Sequence, residues 1–211
     1  MADVKICGIS SRPALDAAVC GGARYVGFVH FPPSPRNLSV ADAEALGRAL
    51  PSQVRAVAVM VEPDDALIAA TVSTGARAVQ VHKCSPERLG TIRALLPADV
   101  ELWAAVPVRT SGDLRLATAV APVVDRILYD AKPPEGAPLP GGMGLRFDWS
   151  LLDGFAHPRP WLLSGGLDPD NVREAIARAR APAVDVSSGV ESAPGVKDVD
   201  RIASFLHAAR A

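Results

Sequence analysis

The chain has 211 residues, 49 % of them hydrophobic and 21 % charged, with a formal net charge of -1. That supplies enough apolar material for a sizeable core, and so balanced a charge gives no reason to expect nucleic acid or an anionic membrane as partner. No apolar run is long enough to span a bilayer, the N-terminus lacks a signal-like stretch, and Cys7, Cys20 and Cys84 form an odd set without CxxC spacing. A transmembrane helix, a disulfide framework and a metal site are therefore not expected, and a cytoplasmic setting is.

The first apolar run, Val4-Lys5-Ile6, ends at Cys7-Gly8, and helix-like sequence follows from about Pro13. Further β-branched runs begin near Tyr25, Arg55, Ala78, Glu101, Arg126, Pro160 and Ala183. Segments with helical spacing lie between them, among them residues 41–50, 87–96 and 172–179. Strands alternating with helices at this spacing indicate βαβ units and parallel pairing. Val57-Ala58-Val59-Met60-Val61 is apolar on both faces, as a strand covered on both sides must be.

Eight strands, each followed by a helix, predict an α/β fold: a single (β/α)8 TIM barrel with parallel strands over residues 1–211. An open doubly wound sheet is the alternative; eight regular units and the lack of GxGxxG argue against it. The longer intervals follow the second and sixth strands. They hold residues 32–37 and 132–144, both expected on the C-terminal face where such barrels bind substrate.

Cys7 and Asp130 end the first and sixth runs, so a thiol and a carboxyl would converge on the barrel mouth as a base and an acid. The plainer readings are a buried apolar thiol and a helix-capping carboxylate; Lys132-Pro133-Pro134, a loop rather than a helix start, weakens the second. Two glycine-rich strand ends, Ser164-Gly165-Gly166 and Ser187-Ser188-Gly189, predict a phosphate cradle in Gly165, Gly166, Ser188 and Gly189, joined by the helix N-termini that follow. Arg36, in a proline-braced loop, is a candidate fork for a substrate carboxylate or else a solvated surface arginine. His82 ends the fourth strand. Asp185, inside the eighth, is expected to point into the mouth and hydrogen-bond there. Lys132 is read as a second cation near Asp130 or a solvated residue, and Cys20 as core.

Taken in order, Lys5-Ile6-Cys7-Gly8-Ile9, Gly27-Phe28-Val29 with Ser34-Pro35-Arg36, Val79-Gln80-Val81-His82, Asp130-Ala131-Lys132, Gly141-Gly142-Met143-Gly144 with Phe147-Asp148-Trp149, Ser164-Gly165-Gly166-Leu167, and residues 184–191 with Pro194-Gly195 and Lys197-Asp198 resemble the phosphoribosylanthranilate isomerase family of tryptophan biosynthesis. The resemblance spans nearly the whole chain. It implies an Amadori rearrangement without cofactor or metal, with Asp130 as general acid, Cys7 as general base, Arg36 at the anthranilate end and the two glycine turns on the phosphate. It also implies a phosphorylated small molecule as the partner, in a monomer or homodimer. The pattern departs at Lys83 and Cys84 after His82, at a fifth strand without lysine, at Met143, at Ser164 and at His30. The related isomerase of histidine biosynthesis is a second reading; Cys7 and the absence of a phosphate turn in the first half argue against it. A non-catalytic phosphate-binding paralogue is a third.

Overall fold

The computed structural model describes residues 1–137, 139 and 141–210. Eight parallel strands close into a barrel in sequence order: β1 Asp3–Cys7, β2 Tyr25–His30, β3 Arg55–Val61, β4 Ala78–His82, β5 Glu101–Val108, β6 Arg126–Ala131, β7 Trp161–Leu163 and β8 Ala183–Val186. The ring closes where β1 pairs with β8, Lys5 opposite Asp185. The α/β barrel predicted from strand spacing is the observed architecture.

Seven α-helices are described outside the barrel: α1 Arg12–Cys20, α2 Val40–Gly47, α3 Asp65–Ser73, α4 Pro86–Leu95, α5 Arg115–Val120, α6 Val172–Ala179 and α7 Val199–Ala208. Local chemistry starts several of them. Ser39, Asp64 and Ser85 accept hydrogen bonds from the amides of Asp42, Leu67 and Arg88, and prolines stand in the first turns of α1 and α4. The expectation of a helix after every strand fails after β6. There Pro133, Pro134 and four glycines break the segment, and among the described residues the only helical turn is a short 3-10 stretch at Trp149–Leu152. After β8 comes a hairpin, β9 Glu191–Ala193 and β10 Val196–Lys197, before α7.

The period-two alternation of strands divides the buried residues into two sets. Outward residues such as Ile6, Val79, Ile127 and Val184 pack under the helices. Inward residues, including Tyr25, Val57, Ala78, Trp103, Leu128 and Ala183, fill the barrel. Tyr25 and Trp103 meet edge-on at 5.0 Å with the Arg126 guanidinium over both rings, and Glu101 ties Arg126 to the Trp103 indole. This layer plugs the N-terminal end, so the layer above it, at the C-terminal strand ends, is the one open to a ligand. Cys20 is exposed on α1, contrary to the core placement expected. Its helix turns it away from the strands, whereas Ala14, Leu15 and Ala18 face them.

Candidate active site

The inward positions of the upper layer are polar. Lys5 and Cys7 on β1 are two residues apart and so share the inner face; Gln80 and His82 do the same on β4, and Asp130 and Asp185 follow their inward apolar neighbours on β6 and β8. Cys7, Arg36, His82, Asp130, Gly165, Gly166, Asp185 and Ser188 line one cavity at the strand ends. Eight of the nine residues predicted from sequence therefore meet in one place. The ninth, Gly189, lies just behind, in an adjoining groove that Gly166 and Ser188 also line.

Asp130 is buried, and one carboxylate oxygen accepts the Ala131 amide at 2.9 Å. Burial first, and the Asp185 charge second, push its pKa up to about 7. It can thus hold a proton near neutrality. Burial raises the Cys7 thiol above its ordinary value; Lys5 and Lys197 oppose the rise and Asp185 adds to it. The electropositive neighbours are present, but burial outweighs them. Burial, and then Lys5, lower the His82 imidazole to about 4, so it stays neutral. Its Nε2 lies 3.0 Å from the Gln80 amide nitrogen. Among the described residues the Gln80 carbonyl oxygen, buried in the wall of the cavity, has no partner.

Arg36 is not a solvated surface residue: it is 6 % exposed. Nor is its fork free. Glu191 of the β9–β10 hairpin accepts Nε at 2.7 Å and Nη2 at 2.8 Å, and the Gly142 carbonyl accepts a further bond from Nη2. Glu191 also accepts from Lys197 at 2.7 Å. Lys132 pairs with Asp113 at 2.8 Å on an exposed loop, and Asp113 is its counter-charge in place of Asp130. Asp185 does point inward, where Lys5 Nζ stands 2.8 Å and the Ser164 hydroxyl 3.2 Å from its two oxygens.

The two glycine turns lie side by side. Gly165 and Gly166 have φ of 89° and 62°, a region in which side chains are strained, and the Gly189 Cα packs against the Leu167 carbonyl with no room for a Cβ. The loop from Gly144 to Arg146 folds over the first turn, and Arg146 Nε donates to the Gly166 carbonyl at 2.9 Å. Asp168 accepts the amides of Asp170 and Asn171 ahead of α6, and a short 3-10 turn, Ser188–Val190, follows β8. Among the described residues no group of three or more His, Cys, Asp or Glu could hold a metal ion, and no helix is long and apolar enough to cross a membrane.

Sequence reasoning passed over Lys5, Gln80, Glu191 and Lys197 as functional candidates. For Lys5 and Gln80 the signal was available: each stands two residues before a predicted site residue on the same strand. Glu191 and Lys197 reach the site through a hairpin that no periodicity announces.

A family model for N-(5'-phosphoribosyl)anthranilate (PRA) isomerase matches residues 4–208. The N-(5'-phosphoribosyl)anthranilate isomerase of Rhodopseudomonas palustris is 50 % identical over 210 residues, covering 99 % of this chain and 95 % of that protein. That of Zymomonas mobilis subsp. pomaceae is 48 % identical over 207 residues, covering 98 % and 97 %. The crystal structure of phosphoribosyl anthranilate isomerase from Thermotoga maritima superposes with a TM-score of 0.87 at 38 % identity, covering 100 % of this chain and 99 % of that one. A solved phosphoribosyl anthranilate isomerase in complex with reduced 1-(o-carboxyphenylamino)-1-deoxyribulose 5-phosphate gives 0.85 at 36 % identity, with the same coverage. Matched from end to end in sequence and in strand order, the chain belongs to the N-(5'-phosphoribosyl)anthranilate isomerase family.

Proposed function

We propose that this chain converts N-(5'-phosphoribosyl)anthranilate to 1-(o-carboxyphenylamino)-1-deoxyribulose 5-phosphate in tryptophan biosynthesis, with Asp130 as general acid and Cys7 as general base. Asp130 protonates the furanose ring oxygen, and the ring opens to a Schiff base. The Cys7 thiolate then takes the C2' proton, giving an enolamine. Tautomerisation adds a proton at C1' and removes the enol proton at C2', which restores both side chains. C1' is reduced and C2' oxidised within one molecule, so the balance needs no external electron acceptor. The backbone amides of Gly165, Gly166, Ser188 and Gly189 take the phosphate, and Arg36 meets the anthranilate carboxylate through Nη1, the nitrogen that Glu191 and Gly142 do not engage. His82 and Asp185 bound the sugar between them.

The observation that carries this reading is the meeting of Asp130 and Cys7, from β6 and β1, in one cavity beside the paired glycine turns. The relatives' shared activity supports it. The test is direct: purified protein is mixed with freshly generated phosphoribosylanthranilate and the loss of substrate fluorescence is followed. Rapid loss that requires the protein is expected. Binding without turnover would assign the chain to the non-catalytic reading.

A further inference from the structure

We propose that Lys5 is the positioning residue of this site: pinned by Asp185, its ammonium sits where negative charge lands when the Cys7 thiol gives up its proton. The inference rests on Cys7 being the base and adds the group that makes a thiolate attainable inside the barrel.

Lys5 is fully buried at 0 % exposure, two residues before Cys7 on the inward face of β1. A lysine so placed is costly unless paired, and well-packed apolar residues would serve the fold as well as the pair does. Its partner is Asp185 on β8, opposite it in register, with Nζ 2.8 Å from Oδ1. The second Asp185 oxygen is steadied by the Ser164 hydroxyl at 3.2 Å. What the pair surrounds is visible at Gly27 on β2. A Cβ there would stand 3.0 Å from Cys7 Sγ and 3.2 Å from Lys5 Nζ, so the thiol and the ammonium press against the same bare Cα. The other charge near Cys7 is Lys197 on β10, already committed to Glu191 and to the Ser187 carbonyl. Asp130 on β6 and His82 on β4 feel the same Lys5–Asp185 pair from across the barrel. Burial holds the thiol protonated, and Lys5 is the largest influence against it.

Alkylation by iodoacetamide reads thiolate formation without requiring the isomerase reaction. The full chain is alkylated across a pH series, and Cys7 is followed by peptide mass spectrometry with exposed Cys20 as internal reference. Lys5→Met should move the midpoint of Cys7 alkylation up by at least about one pH unit, a roughly tenfold slower reaction at pH 7.5, and should lower kcat more than it raises KM. Asp185→Asn frees the ammonium and should move the midpoint down. The Cys20 profile should stay in place in both. A role in packing alone would not move the two variants in opposite directions. A folded Lys5→Met protein with the parental midpoint, or an Asp185→Asn protein whose midpoint rises or stays, overturns the proposal. If Lys5→Met does not fold, the Asp185→Asn arm decides it. An error in assigning Cys7 as base appears instead in the turnover of Cys7→Ala, which this readout does not touch.

Discussion

Arg36 and Glu191 form a two-pronged ion pair, Nε to Oε1 at 2.7 Å and Nη2 to Oε2 at 2.8 Å, with side chains only 7 % and 4 % exposed. One comes from the loop after β2 and the other from the hairpin after β8, so the pair ties together two segments far apart in sequence. It aims the planar guanidinium, whose Nη2 also donates to the Gly142 carbonyl. Lysine cannot reproduce that geometry.

Glu191→Gln should therefore act through Arg36. With one charge-assisted bond weakened, affinity for an aryl carboxylate such as a product analogue should fall about tenfold, while affinity for a simple sugar phosphate should hold. Arg36→Met should give the larger loss of the same kind. Titration calorimetry with both ligand types decides it; equal losses for both would mean a general loop defect.

Cys7→Ala and Asp130→Asn should each lower turnover by at least about 10²-fold, the scale for proton-transfer groups, with much smaller effects on product-analogue binding. Circular dichroism must show that each variant is folded, since Cys7 also belongs to the apolar cluster inside the barrel. Near-normal turnover by Cys7→Ala would remove it as the base.

The pH profile should carry an inversion. The active form needs Asp130 protonated and Cys7 ionised, yet Asp130 titrates at about 7 and Cys7 above its ordinary 9.0. Between those values one proton resides on the pair, mostly on sulfur, and only a minor fraction holds it on Asp130. That fraction is constant across the interval. kcat/KM should accordingly rise as pH rises through about 7 and level off, and its fall should come later than an ordinary thiol would give, because burial raises Cys7. Activity already maximal at pH 5 would contradict the Asp130 shift.

Asp130 should also cost the protein stability. Its folded pKa is raised above the usual 3.8, so the folded state binds the proton more tightly. Stability is then full below about pH 4 and is lost as pH rises through 7, by up to roughly 4 kcal/mol. Asp130→Asn removes that loss. Its thermal midpoint should exceed the parent's at pH 8 and approach it at pH 4. A lower midpoint at pH 8 would show that the carboxylate is stabilised by partners.

Much of this was legible beforehand, for a physical reason. In a parallel barrel the strands are hydrophobic runs with fixed spacing, and the C-terminal end of each is a site position by construction. Cys7, His82 and Asp130 stand at such ends, and all three line the cavity. What stayed hidden depends on three dimensions. The missing helix after β6 follows from proline and glycine content and could have been foreseen from residues 133–144. The Arg36–Glu191 pair could not, because nothing in local spacing brings a loop after β2 to a hairpin after β8. Nor could the turn ahead of α6, where the Asp168 carboxylate takes the amides of Asp170 and Asn171.

That last point sharpens the phosphate prediction. With the Asp170 and Asn171 amides taken by Asp168, the prediction falls on the turn amides at Gly165, Gly166, Ser188 and Gly189. Gly166→Glu is a blunt probe: any Cβ there would come within 2.8 Å of the Leu145 carbonyl and disturb the covering loop before charge matters. Ser188 already carries a Cβ and lines the cavity, so Ser188→Asp adds charge without altering the backbone. Like charges brought together at a partly exposed site should weaken inorganic phosphate and product-analogue binding by at least about tenfold. Ser188→Ala, which keeps the amides and removes only the hydroxyl, should lose far less. Raising ionic strength should recover part of the Ser188→Asp loss, because screening acts on charge and not on shape. If Ser188→Asp binds phosphate as the parent does, the anion is not held between these turns. The ligand would then have to enter the barrel in a different orientation.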